Sequence, residues 1–375
     1  MHKETYLGWY KQRMPRLVRP DSYSLMSSSM EEAWALLKTH HPSPGHPVFE
    51  ERYWTPNPYG LPFLIEGIGR HYGVPKENVL LTQGATSAIY LIAQTFIHPG
   101  DHVLVERPGY EPLMHAPAMC GAVIDELHRP DGRCPDAAAI RSVIRPDTRL
   151  IMLTNLHNPT GTLCEMSQLK TLVDAAKAVS PDIRIVLDEI YLDFVPGRGA
   201  PASTLDPCIL SVSSLTKVYG FSTLRCGWIF AEPEDIDRLR KNQVVISGIG
   251  SRYLETLASL VIDHLNEYRD QAFLRLSVNR PILHRHLDPM VAVGRLTGPI
   301  PDHGCVAFLR VPGVPDTIAL TDYLESRFQL FTVPGCFFGA PHYIRIGIGE
   351  INAVRLDEAL CRFTKGLDSF QTPDR

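Results

Sequence analysis

The sequence predicts an α/β protein with a mostly parallel sheet flanked by helices, followed by a smaller α+β domain at the C-terminal end. Short apolar runs alternate with segments of helical length from about residue 61 to residue 270. Such runs are typical of parallel strands that helices cover on both faces. After about residue 270 the alternation stops, and the segments GCVAFLRV, TDYLESRF and YIRIGIG form a mixed pattern.

The regular pattern starts with a predicted helix, PFLIEGIGRHYG (62–73), which is apolar at helical spacing and ends on a glycine. A second helix is predicted for ATSAIYLIAQTF (85–96). The predicted strands are VLLT (79–82), HVLVE (102–106), AVIDEL (122–127), RLIMLT (149–154), RIVLDEI (184–190) and ILSVSS (209–214). We therefore expect a large domain over 59–270, a small domain over 271–375, and an N-terminal segment over 1–58 that contributes to the small domain.

Composition excludes several classes of protein. The net charge of −4 argues against a nucleic-acid binder, which needs a basic patch for phosphates. No apolar run reaches the roughly 18 residues of a membrane helix, and the first residues lack the apolar core of a signal peptide. Eight scattered cysteines without a C-x-x-C pair indicate reduced thiols in a cytoplasmic protein.

A histidine cluster at positions 40, 41 and 46 is a weak candidate for a metal site. Prolines intervene, no acidic residue accompanies the histidines in the sequence, and the spacing does not match a zinc site. We expect His40, His41 and His46 to lie in a solvated loop, and we expect no metal.

Polar residues follow the predicted strands at the points where those strands end. TQGATS, ERPGY, NLHNPTG and SSLTK each come after an apolar run, and Asp188 comes directly after RIVL. Because chemistry in open α/β sheets collects at the carboxyl ends of the strands, these residues are expected to share one site.

Four of the motifs, NPTG, DEIY, S-x-T-K-x-x-G and YIRIG, resemble those of the class I/II aminotransferases, which are fold-type I enzymes dependent on pyridoxal phosphate (PLP). The resemblance extends from about residue 53 to residue 349. It implies an enzyme that moves an amino group between an α-amino acid and a 2-oxo acid, and a homodimer to whose interface the N-terminal segment contributes. It also implies that Lys217 carries PLP as a Schiff base and shuttles the Cα proton.

The resemblance assigns the cofactor phosphate to two places. Ser214 and Arg225 stand at the family's offsets from the lysine, −3 and +8, and a guanidinium suits bidentate anion binding. The turn Gly84-Ala85-Thr86 opens a predicted helix, whose free N–H groups form an anion site.

The remaining cofactor contacts come from the strand ends. Asp188 resembles the carboxylate that pairs with the pyridinium nitrogen. Tyr191 and Asn158 resemble the residues that contact the phenolic oxygen, and Tyr110 resembles the aromatic residue that stacks on the ring.

Arg345 resembles the arginine that binds the substrate α-carboxylate, with Asn158 also on the substrate side. A guanidinium that alternates with apolar residues on a strand needs a polar partner, and a carboxylate fits it bidentately.

Several points depart from the family pattern. Thr223 stands where the family usually has glycine, and the tyrosine that reaches the neighbouring subunit's phosphate could be Tyr53 or Tyr59, with Trp54 competing. The segment SLMSSSM (24–30) resembles the serine-rich start of capreomycidine-synthase-like members, which cyclise an amino acid. A PLP-dependent cyclase, lyase or decarboxylase of the same fold is therefore the alternative.

Overall fold

The computed structural model describes residues 5–43, 57, 59–248 and 250–370. Tyr53, Trp54 and His46 lie outside the described residues. The helices are α1 (Tyr6–Leu17), α2 (Trp34–His40), α3 (Pro62–Tyr72), α4 (Ala85–Phe96), α5 (Glu111–Met119), α6 (Ala137–Val143), α7 (Met166–Lys177), α8 (Pro233–Ser247), α9 (Arg252–Ile262), α10 (Leu265–Ala292), α11 (Thr317–Phe328) and α12 (Ala353–Ser369). The strands are β1 (Tyr23–Ser24), β2 (Val79–Thr82), β3 (His102–Arg107), β4 (Val123–His128), β5 (Thr148–Thr154), β6 (Arg184–Asp188), β7 (Ile209–Ser214), β8 (Gly227–Phe230), β9 (Val306–Arg310), β10 (Leu330–Phe331), β11 (Val333–Pro334) and β12 (Tyr343–Gly347).

The central sheet has seven strands in the order β2-β8-β7-β6-β5-β3-β4. Its strands pair in parallel from β7 to β4, whereas β8 runs antiparallel to both of its neighbours. Along β5, Leu150 and Met152 join the apolar core on one face, and Ile151 and Leu153 join the core on the other face. This alternation places buried side chains on both sides of the sheet and confirms the predicted α/β class.

A smaller three-stranded sheet, β11-β12-β9, is antiparallel and belongs to the C-terminal part of the chain. The N-terminal segment attaches to the same part, because β1 pairs in parallel with β10. Trp9 of α1 also joins an apolar cluster that includes Phe331 and Phe337. These contacts attach α1 and β1 to the C-terminal part of the chain.

Residues 24–30 run in close contact with the end of β12. The Gly347 N–H donates to the Leu25 carbonyl at 2.7 Å, and the Met30 N–H donates to the Lys217 carbonyl at 2.9 Å. A Cβ on Gly347 would lie 1.6 Å from the Ser27 carbonyl oxygen, so only glycine permits this approach. The serine-rich segment is thereby held between β12 and the loop after β7.

The expectation of a solvated loop at the histidines is corrected for the two that the structure describes. His40 ends α2, and its ring stacks on that of His264 at a centroid distance of 3.9 Å. The side chain of His40 is 18% exposed. This contact cannot be predicted from a local pattern, because His264 and Glu267 lie more than 200 positions after His40. No helix among the described residues is long and apolar enough to cross a membrane.

Candidate active site

A cavity of about 580 Å³ lies at the carboxyl ends of the parallel strands. Nine of the predicted site residues line it: Ala85, Thr86, Tyr110, Asn158, Asp188, Tyr191, Lys217, Arg225 and Arg345. Gly84 and Ser214 are not part of the wall: Gly84 precedes α4, and Ser214 ends β7. The central sheet and strand β12 of the smaller sheet therefore bring together side chains that are spread over 260 positions of the sequence.

Lys217 lies in the cavity wall three residues beyond the end of β7. Its Nζ donates to the Ser28 hydroxyl at 3.3 Å. Burial lowers the pKa of the Lys217 ammonium, and the Arg345 charge lowers it further. A lower pKa increases the fraction of neutral amine, which is the form that forms a covalent bond with a carbonyl group.

Asp188 is the last residue of β6 and is 2% exposed. Burial raises the pKa of its carboxyl to about 7, although the Ile190 N–H, which donates to Oδ1 at 3.2 Å, works in the opposite direction. A buried carboxyl of this kind ionises readily only when a cation pairs with it. The site therefore suits a protonated ring nitrogen such as that of PLP.

Three polar side-chain atoms in the wall are buried without a hydrogen-bond partner among the described residues: the Asn158 Oδ1, the Tyr191 hydroxyl and the Arg345 Nε. Burying such groups unpaired costs on the order of 1–3 kcal/mol each. A ligand that carries hydrogen-bonding groups would remove this cost. The phenolic oxygen of PLP fits the Tyr191 hydroxyl, and the Asn158 amide can turn its NH₂ group toward the same atom.

The anion end of the cavity is formed by the start of α4 and by Arg225. Gly84 is the N-cap of α4 and has a φ of 86°. A Cβ at this position would lie 2.6 Å from Arg225 Nη2, which donates to the Gln83 carbonyl at 3.2 Å. The guanidinium thus crosses the helix N-terminus, where free N–H groups and the helix dipole attract a phosphate.

Ser214 takes a different place from the wall residues. It is buried at the end of β7, and its hydroxyl oxygen accepts from the Thr216 N–H at 3.1 Å. The hydroxyl proton remains available to a ligand. Thr86 and Tyr110 lie side by side in the wall, with their hydroxyl oxygens 3.4 Å apart.

Arg345 lies on β12 and is 4% exposed. Its Nη2 donates to the Met26 carbonyl at 2.8 Å, and its Cζ lies 5.1 Å from the centre of the Phe338 ring. Its Nε is buried without a hydrogen-bond partner, and no carboxylate of the described residues forms an ion pair with it. A charged ligand is the expected partner of such a group.

Other wall residues come from the N-terminal part of the chain, of which only the serine-rich segment was singled out in the sequence. Helix α1 contributes Tyr6, Leu7 and Tyr10, and the serine-rich segment contributes Ser27, Ser28 and Ser29. The tyrosines are four positions apart and so share one face of the helix. That spacing was visible in the sequence, but a short amphipathic helix does not reveal what it packs against.

A buried ion pair between Glu106 and Arg129 supports the loop that carries Asn158. Both side chains are fully buried, and Arg129 also donates to the Thr154 carbonyl at 2.9 Å. The Thr154 hydroxyl donates to Glu106 at 2.6 Å and accepts from the Asn158 N–H at 2.8 Å. This chain of hydrogen bonds fixes the position of the Asn158 backbone.

Comparison with known proteins relates this chain to enzymes of similar architecture. It is 30% identical over 187 residues to histidinol-phosphate aminotransferase of Moorella thermoacetica, covering 48% of this chain and 47% of that protein. It is 29% identical over 282 residues to capreomycidine synthase of Streptomyces vinaceus, covering 73% of this chain and 70% of that protein. The alignment thus spans about half the length of the first of these relatives.

Solved structures agree on the fold over nearly the whole chain. A PLP-dependent aminotransferase from Streptococcus suis matches with a TM-score of 0.86 at 24% identity, covering 100% of both chains. The PLP-dependent cyclase OrfR matches with a TM-score of 0.82 at 23% identity, covering 97% of both chains. The family model for aminotransferase class I and II matches residues 39–363. Because that match spans most of the sequence, the chain belongs to the class I and II aminotransferase family.

Proposed function

We propose that this protein is a PLP-dependent aminotransferase that moves an amino group between an α-amino acid and a 2-oxo acid. One observation carries the proposal. A single cavity joins a lysine of lowered pKa, a buried carboxyl of raised pKa and an arginine without a carboxylate partner, namely Lys217, Asp188 and Arg345. These are the groups needed to hold the cofactor covalently, to pair with its ring and to bind a substrate carboxylate.

The cofactor-side residues would divide the work by chemistry. Bound PLP supplies an electron sink that stabilises negative charge at the substrate Cα. Asp188 would accept a hydrogen bond from the ring nitrogen and keep it protonated. Tyr191 and Asn158 would donate to the phenolic oxygen, and Arg225 with the start of α4 would hold the phosphate.

The substrate-side residues would orient the amino acid and move its proton. Arg345 would hold the α-carboxylate through its guanidinium fork. Lys217, once released from the cofactor, would take a proton from the substrate Cα and return it to another atom, as a general base and acid. Its lowered pKa favours the neutral amine, which is the form that accepts a proton.

Product analysis over a panel of amino acids, with and without added 2-oxo acids, tests this function. If the reaction is transamination, new 2-oxo acid should exceed one equivalent per enzyme molecule only when an acceptor 2-oxo acid is present. The panel should include acidic, neutral and basic side chains. The described wall holds the carboxylates of Glu111 and Glu350. Its only lysine and arginines are Lys217, Arg225 and Arg345, so no further cation of the described wall could pair with a second substrate anion.

A second candidate is a cyclase or lyase of the same fold. It is favoured by the capreomycidine synthase alignment, which covers 73% of this chain. The serine-rich segment also reaches the chemistry in the structure, since the Ser28 hydroxyl accepts from Lys217 Nζ. Product formed over many turnovers without added 2-oxo acid, whether by cyclisation or by elimination, would favour this candidate over transamination.

Asp188→Asn should retain PLP but lose turnover. Removing one partner of a buried charged pair costs on the order of 2–5 kcal/mol, so kcat should fall by roughly 30-fold to several thousand-fold. The phosphate and ring-oxygen contacts remain, so the cofactor should still be retained on gel filtration. Near-native kcat in a PLP-loaded Asp188→Asn protein would remove Asp188 from the mechanism.

The same variant has a consequence for the stability of the apoprotein. In the folded apoprotein the Asp188 carboxyl keeps its proton up to about pH 7, whereas its ordinary pKa is 3.8. Between these pH values the folded state binds more protons than the unfolded state does. The free energy of unfolding therefore falls as pH rises through that window. The Tm of apo Asp188→Asn, measured by calorimetry at about pH 5 and about pH 8, should therefore fall less across the interval than that of the native apoprotein.

We also infer a homodimer that forms through a face next to the cavity. Large apolar side chains are exposed at adjoining ends of α3, α8 and α9: Tyr59, Phe63, Val244, Val245, Ile246 and Tyr253. Exposed apolar patches of this kind mark interaction surfaces. A second cavity of about 190 Å³ is lined by Tyr59 and shares Arg225 with the active site. Tyr59 is thus a candidate to reach the neighbouring phosphate, and a fully active monomer in light scattering would refute the dimer.

A further inference from the structure

Two imidazoles and a carboxylate meet where the end of α2 lies against the start of α10. We call this group the His40 cluster; it consists of His40, His264 and Glu267. Their ligand atoms all lie within 4.8 Å of one another. None of the three lines the active-site cavity, and none takes part in the chemistry proposed above.

Glu267 directs one carboxylate oxygen at each ring. Its Oε1 lies 2.9 Å from His264 Nδ1, and its Oε2 lies 3.2 Å from His40 Nε2. The contact with His40 is not a hydrogen bond. Among the described residues, His40 Nε2 is therefore buried without a hydrogen-bond partner. One ring nitrogen of His40 is thus left without a hydrogen bond beside a carboxylate.

His41 extends the cluster by a third imidazole. Its ring lies 5.8 Å from that of His264 at an angle of 69°. Its Nε2 is also buried without a hydrogen-bond partner in the part of the chain that the structure describes. Two unpartnered buried imidazole nitrogens in one place are costly unless something binds them.

We propose that the His40 cluster binds one divalent transition-metal ion of the Zn²⁺ type. Imidazole nitrogens with one carboxylate form a donor set that suits Zn²⁺, Ni²⁺ or Co²⁺, whereas Mg²⁺ and Ca²⁺ prefer oxygen ligands. The ligand atoms of a tetrahedral zinc site lie roughly 3.3 Å apart, given Zn–N bonds of about 2.0 Å. The two separations from Glu267, 2.9 and 3.2 Å, are close to this value. Turning the stacked rings of His40 and His264 out of parallel would aim both nitrogens at one ion.

Such an ion would be structural and would join α2 to α10. His40 is the last residue of α2, and His264 is the N-cap of α10. Upstream of α2, the Met30 N–H donates to the Lys217 carbonyl and the Ala33 N–H donates to the Gly220 carbonyl. The ion would therefore hold the helix that follows the serine-rich wall of the cavity.

Calorimetric titration of the purified holoenzyme, freed of excess PLP, with ZnCl₂ and NiCl₂ tests the proposal. His284→Ala is the matched control, because His284 Nδ1 lies 3.2 Å from Asp288 on the same helix and this pair has no second imidazole. The native protein and His284→Ala should bind about one equivalent with a Kd in the micromolar range or tighter, and should unfold at a higher Tm with the metal. His264→Ala, His40→Ala and Glu267→Gln should each weaken binding at least about tenfold, in line with the loss of one ligand.

Two results would overturn the proposal: no one-equivalent binding by the native protein, or native affinity in any two of the three variants His40→Ala, His264→Ala and Glu267→Gln. The PLP absorbance and the metal-free Tm of each variant establish that it folds. If one variant fails this check, the other two still decide the outcome. Turnover is not part of the readout, so failure of the metal site and failure of the proposed aminotransferase activity are separate results.

Discussion

Lys217→Ala is expected to lose turnover by a factor of about 10³ or more. The substitution removes both the covalent attachment of the cofactor and the group that moves the substrate proton, and general base catalysis alone is worth about 10²–10⁴-fold. Arg225 and the N-terminus of α4 remain to bind the phosphate, so the variant should still take up PLP weakly. Its absorbance should be that of PLP not bonded to a lysine of the protein.

Lys170→Ala is the matched control for this experiment. Lys170 is 46% exposed on α7 and pairs with Asp174 on the surface. Its removal should leave turnover and the PLP spectrum unchanged, because exposed ion pairs contribute little. Turnover in Lys217→Ala at more than about a tenth of the native rate would mean that another group performs the chemistry.

Arg345→Ala should lose most of its kcat/KM for α-amino acids while it keeps a native PLP spectrum. Losing a charge-assisted bidentate contact with a carboxylate costs on the order of 2–5 kcal/mol, which corresponds to roughly 30-fold to several thousand-fold. Arg345→Lys should recover only part, since an ammonium cannot offer the planar fork of a guanidinium.

The Met26 contact makes a second control necessary. Because Arg345 also donates to the Met26 carbonyl, its removal could move the serine-rich wall. Amines that lack a carboxylate separate the two effects: their slow reaction should be the same in Arg345→Ala and the native enzyme if Arg345 acts only on the carboxylate. If such amines react with the native enzyme as fast as amino acids do, Arg345 has another role.

The strands that position the site could be predicted because each is a short apolar run bounded by turns. All six predicted strands are present as β2 to β7, with ends that differ by at most two residues. Strand β8 was missed, because GWIF begins two residues after Arg225 and so overlaps the segment that was assigned to the lysine motif. Its antiparallel direction depends on its pairing with β2 and β7, and a local pattern does not encode that pairing.

The part of the site that was predicted consists of residues within recognisable motifs at strand ends. The part that was missed depends on contacts between distant segments. Glu106 lay within the motif ERPGY, but its buried partner Arg129 follows a different strand. In the same way, Glu267 completes the His40 cluster from more than 200 positions away. Such partners are set by packing, which a single sequence does not reveal.

The decisive test of a Schiff base at Lys217 is reduction of the purified protein with borohydride, followed by protease digestion and mass spectrometry of the peptides. If Lys217 carries PLP, the protein should be yellow, its cofactor absorbance should change on reduction, and one peptide should carry the mass of reduced PLP at Lys217. Cofactor fixed to a different lysine, or no lysine labelled in a protein saturated with PLP, would contradict it.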